Sequence, residues 1–101
     1  RSPKDSRYGW MRNGGHVTKT IFGGDHRHLV EVLIQARQMS GLTQAQLADR
    51  VGKDQTFISI IERGQRRVDV LEFIALAKAM KADPAGLFAD VLRQLPEKIS
   101  I

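Results

Sequence analysis

The chain has 101 residues, 42% of them hydrophobic, which is enough to build one packed core and one domain of ordinary size. Sixteen basic side chains against eleven acidic ones leave a formal charge of +5 and a pI near 10.1, favouring a polyanionic partner without choosing between nucleic acid and an anionic membrane. The absence of cysteine excludes disulfides and thiolate metal sites. No run approaches the roughly 20 apolar residues that cross a bilayer and no secretory leader opens the chain, so a cytoplasmic protein is expected.

Residues 1–24 read as a flexible basic arm. They are rich in glycine and carry Arg1, Lys4, Arg7, Arg12 and Lys19 against Asp5, with few core-forming aliphatics. Within the arm, Tyr8, Trp10 and Arg12 alternate ahead of Asn13-Gly14-Gly15, and Val17 to Phe22 follow. That pattern is compatible with a hairpin, since Asn-Gly supplies the positive φ angles of a tight turn.

From Asp25 onward the periodicity is helical. Leu29, Val30, Leu33, Ile34 and Arg37 recur at three- and four-residue steps, and Gly41 supplies the stop of a first helix. Thr43-Gln44-Ala45-Gln46 is a capping-box pattern that opens a short second helix through Val51, ended by Gly52. Asp54 caps a third helix from Gln55 to Arg63, whose Ile58 and Ile61 face the same side, and Gly64 closes it. Asp69 to Glu72 repeats the capping-box pattern ahead of Leu71, Ile74, Leu76, Ala77 and Met80, expected on a largely buried fourth helix. Asp83-Pro84 starts a fifth helix carrying Leu87, Phe88, Val91, Leu92 and Leu95, stopped by Pro96. The reading is therefore an all-α protein: the arm, a compact five-helix domain over 25–95, and a short tail over 96–101.

The second and third helices carry the functional signal. A short turn containing Gly52 needs a small residue where the two helices cross, and Ala48 stands four residues before it. The string Gly41-Leu42-Thr43-Gln44-Ala45-Gln46-Leu47-Ala48, then Val51-Gly52, Gln55, Ile58, Ser59 and Ile61-Glu62-Arg63-Gly64, resembles the lambda-repressor-like family, also called the xenobiotic response element family. The resemblance runs from about Leu29 to Phe88 and places a helix-turn-helix at Thr43 to Arg63.

What the resemblance implies is a third helix lying in the major groove of double-stranded DNA, with Gln55, Thr56, Ser59 and Ile60 as base-contact positions. Glutamine bonds adenine bidentately, threonine donates, accepts or touches a methyl, and isoleucine suits the thymine methyl, so A·T-containing half-sites are expected. Ile60 has a second reading, packing against Phe57 or a partner protein. Thr43, Gln44, Lys53, Arg63, Gln65, Arg66 and Arg67 fall at phosphate-contact positions, where they would set register and supply salt-dependent affinity. Lys53 stands where the family often has an apolar residue, and Asp54 adds a negative charge near the groove that its capping role accounts for. Arg37 and Glu62 match a structural ion pair tying the first helix to the end of the third.

No other chemistry competes with this reading. His26 and His28 lie two residues apart and point to different sides of a helix, so no metal site is expected, and no phosphate loop, nucleophile elbow or cofactor motif suggests an enzyme. Three functions remain: a repressor that binds a pseudo-palindromic operator as a homodimer, an antitoxin that also holds a toxin, and a protein-interaction module using the Phe57/Ile60 face. Phe88, Val91, Leu92 and Leu95 are the dimer-surface candidates, with closure of the monomer core as their alternative role. The arm is expected to add non-specific phosphate or minor-groove affinity.

Overall fold

The computed structural model describes residues 24–101. Residues 1–23 of the basic arm, with its hairpin reading and the charges from Arg1 to Lys19, lie outside the described residues. Five helices follow in order: α1 (His26–Met39), α2 (Gln44–Arg50), α3 (Gln55–Glu62), α4 (Val70–Ala79) and α5 (Pro84–Gln94). Among the described residues no helix is long and apolar enough to cross a membrane.

Helix starts follow their caps. Thr43 and Asp69 each close a reciprocal capping box, with Gln46 and Glu72 reaching back to the cap amide. Asp54 and Asp83 accept from Phe57 N and Gly86 N. These bonds satisfy amides that have no partner within the helix. Asp25 departs from the pattern: its side chain caps no α1 amide, and its Oδ2 accepts instead from Ser100 N at 2.9 Å. Asp25 N in turn donates to Ser100 O at 2.8 Å, which clasps the tail to the start of α1. A Cβ on Gly24 would stand 2.5 Å from Ser100 O, so only glycine fits where the tail passes.

The ends of α1 to α4 follow a single device. In α2, Lys53 N reaches back to Ala48 O and Gly52 N to Asp49 O, the paired bonds of a Schellman motif, with Gly52 at φ +73°. The same pair of bonds closes α1 and α3 around Gly41 and Gly64. It also closes α4, where Ala82 N bonds Ala77 O and Lys81 N bonds Lys78 O, although the residue at positive φ is Lys81, at +59°.

The core gathers one stripe from each helix: Val32 and Leu33 from α1, Leu47 and Ala48 from α2, Ile58 and Ile61 from α3, Phe73 and Leu76 from α4, Val91 from α5. Ala48 is fully buried where α2 meets α3, as the crossing requires. Burying Ile58 and Ile61 stabilises α3 in place by about 1.5–3 kcal/mol each. α1 packs against α3, α4 and α5, so it forms the back of the molecule behind the α2–α3 pair.

Two readings of the apolar residues are corrected. Leu71 is 76% exposed, because the buried face of α4 runs through Phe73, Leu76, Ala77 and Met80 and residue 71 lies off it. Val91, expected as a dimer-surface candidate, is 6% exposed and packs in the core among α1, α4 and α5, so it closes the monomer instead.

Candidate nucleic-acid interface

At 3.6 residues per turn, the buried residues Ile58 and Ile61 define one pole of α3, and Thr56, Ser59, Ile60 and Arg63 straddle the opposite pole. Gln55 falls at the edge between them, on the side of Glu62. Gln55 and Thr56 are exposed, Ser59 and Ile60 half-buried. Three of the four expected base-contact positions thus share the outward face of α3, and Gln55 begins it.

Gln55 is held by a network that runs back to α1. Arg37 Nε and Nη2 donate to the two carboxylate oxygens of Glu62 at 2.7 and 3.1 Å, and Arg37 Nη1 donates to Leu42 O at 2.8 Å. Glu62 Oε1 also accepts from Gln44 Nε2 at 2.9 Å, and Gln44 Oε1 accepts from Gln55 Nε2 at 3.2 Å. The Arg37–Glu62 pair is largely shielded from solvent, as the sequence reading expects of a structural pair. Gln44 belongs to this relay in the structure. Periodicity carries no sign of it, because a glutamine that opens a helix looks the same whether it meets solvent or a neighbour.

Around this face the polar residues differ in how committed they are. Thr43 uses its hydroxyl to cap α2 through Gln46 N. Arg63 Nη1 donates to Ser59 Oγ at 2.9 Å and its Nε to Gln65 Oε1 at 3.3 Å, so three of the expected contacts are joined on the surface. Lys53, Arg63, Gln65 and Arg67 are exposed. Arg66 is different: it forms a bidentate pair with Glu72 at 2.8 and 2.7 Å and its guanidinium stands 4.8 Å from the centre of the Phe57 ring. Lys53 Nζ lies over the same ring at 5.4 Å. The Arg66 bonds, with the amide of Asp69 second, hold the Glu72 carboxyl down at about 2.

Ile60 is half-buried, and Phe57 is flanked by two cations, so the Phe57/Ile60 surface is not an open apolar patch. The dimer-surface candidates separate on α5: Phe88 and Leu92, one turn apart, are each 55% exposed, while Leu95 is half-buried against the core. Among the described residues no group of histidine, aspartate and glutamate is arranged to hold a metal ion.

The helix-turn-helix family HTH_3 matches residues 33–87 of the chain. Among solved structures, the chain is similar to an XRE-family like protein from Pseudomonas syringae pv. tomato str. DC3000. That match has 35% identity and a TM-score of 0.66, covering 71% of this chain and 88% of that one. It is also similar to the restriction-modification controller protein C.AhdI from Aeromonas hydrophila, at 34% identity and a TM-score of 0.58, covering 63% and 93% of the two chains. A variant of the controller protein C.Esp1396I matches at 26% identity and a TM-score of 0.64, covering 69% and 89%. A comparison with curated proteins found no match.

Proposed function

Because the chain belongs to the helix-turn-helix family HTH_3, whose members regulate transcription by binding DNA, we propose that it is a sequence-specific repressor reading a pseudo-palindromic operator as a homodimer. The observation that carries this reading is the outward face of α3. Its polar residues stand on a helix whose start is tied through Gln44 and Glu62 to α1, so Gln55 and Thr56 are presented from a rigid support. Preorganised donors lose less freedom on meeting base edges than mobile ones do. The similarity to two restriction-modification controller proteins supports a regulatory role of the same kind.

In this reading Gln55, Thr56, Ser59 and Ile60 meet base edges, and Thr43, Gln44, Lys53, Arg63, Gln65 and Arg67 lie along the phosphates. Phe88 and Leu92 on α5 form the two-fold contact, with Leu95 at its margin. The arm, residues 1–24, and the tail, residues 96–101, flank one domain over 25–95. The protein-interaction alternative loses support because Lys53 and Arg66 cover the ring it would need.

The deciding experiment is selection of bound sites from random duplex DNA, repeated with Gln55→Ala at matched salt. The expected result is an enriched two-fold motif that loses base preference at one position per half-site in the variant. No enriched motif, with weak salt-sensitive binding alone, defeats the proposal.

A further inference from the structure

The sequence places Arg66 among the phosphate contacts, yet three of the five N–H groups of its guanidinium are already committed within the protein. Nη1 donates to Glu72 Oε1 and to Arg67 O, Nη2 donates to Glu72 Oε2, and one face of the group rests on Phe57. Its acceptor is equally fixed, since Glu72 Oε1 also accepts from Asp69 N at 3.0 Å while Glu72 N donates to Asp69 Oδ1 at 2.7 Å. Phe57 is the third residue of α3, directly after Gln55 and Thr56. Beside its ring a cleft of about 200 Å³, shared with Val51, Lys53 and Ala75, leaves it room to shift. Swinging Arg66 out to a phosphate would break a planar two-bond pair and uncover that ring, and it would exchange one charge-assisted contact for another.

We propose that Arg66 and Glu72 are positioning residues: they hold the start of α3 against α4 through Phe57, and Arg66 neutralises no phosphate. α3 then has two supports at its N-terminal end, the Gln44 relay on the α2 side and this brace on the α4 side. The proposal rests on the DNA-reading function above.

The test uses the full chain, the duplex recovered by selection and a scrambled duplex, with affinities measured across about 50–200 mM salt. Arg66→Ala, Arg66→Lys and Glu72→Gln are each expected to lower the preference for the selected duplex by about three- to tenfold, with the double variant no worse than either single one. The slope of log affinity against log salt stays at the wild-type value. Lysine keeps the charge and loses the planar fork, and glutamine at residue 72 still completes the capping box, so both variants retain the folded helix start. A slope flattened by about 0.9 in Arg66→Ala, which is one lost phosphate contact, overturns the proposal. So does full affinity in Arg66→Lys, or tighter binding in Glu72→Gln. If the wild-type protein selects no duplex, the DNA-reading function fails separately, and amide hydrogen exchange of the free protein decides the brace. Faster exchange at Ser59 and Ile60 in Arg66→Lys supports it, and unchanged exchange overturns it.

Discussion

Lys81 occupies the left-handed C-cap of α4 at φ +59°, a conformation that crowds the Cβ of an L-residue. Lys81→Gly is expected to raise stability by about 0.5–1 kcal/mol, as strain relief outweighs the added freedom of the unfolded chain. Gly52 poses the converse case: a Cβ there would meet nothing within 4 Å, so only the backbone angle of +73° opposes a side chain. Gly52→Ala is expected to cost about 1–2 kcal/mol, and urea denaturation of the two variants measures both effects. Glu62 belongs to a heavier class, since Arg37 and Gln44 both depend on it. Glu62→Ala should cost on the order of 3–5 kcal/mol by leaving a shielded guanidinium unpaired, and a melt at unchanged temperature would contradict that.

At the scale of elements, caps and C-terminal glycines were legible because they are local chemistry. The boxes at Thr43 and Asp69, the caps at Asp54 and Asp83, and the stops at Gly41, Gly52 and Gly64 all depend on residues within five positions of one another. Thr43→Ala is expected to lower stability by about 1 kcal/mol, again by urea denaturation, while also freeing the amide of Gln46. The end of α4 carried no such signal, because Lys81 takes the position that glycine marks elsewhere. The expected burial of Leu71 fails, because a helix rich in apolar residues leaves its inward direction undetermined until its neighbours are in place.

At the scale of the whole molecule, two acid-sensitive steps are expected. Burial, the larger cause, lowers the pKa of both His26 and His28, with the charges of Arg67 and Arg27 respectively adding to it. The unfolded chain therefore binds these protons more readily than the folded one, so stability falls as pH drops through the ordinary histidine value of 6.5. Glu72 is depressed as well, so its contribution is present above its ordinary value of 4.5 and is lost as pH falls toward about 2. Melting temperature measured from pH 8 to pH 3 should decline in these two windows, and a His26→Gln, His28→Gln variant should flatten the first. The proposed two-fold contact is tested at the same scale: Leu92→Asp should shift sedimentation from dimer to monomer while leaving the melt nearly unchanged, since Leu92 faces solvent in the monomer.

The order of five helices and the N-terminal caps of α2 to α5 could be read from residue spacing, because helical periodicity and capping involve neighbours in the chain, while Thr56, Ser59 and Ile60 were singled out by the family resemblance. That Arg66 is held within the protein could not be read, although the resemblance did imply the Arg37–Glu62 pair. Arg66 meets Glu72 across a loop, Gln44 meets both Glu62 and Gln55, and Asp25 meets Ser100, seventy-five residues away. Val91 and Phe88 read alike as apolar residues of α5, and only the packing of α1 and α4 against that helix buries the first and leaves the second exposed. Pairings of this kind depend on where a side chain arrives in space once the core has closed, and sequence separation carries no record of that distance.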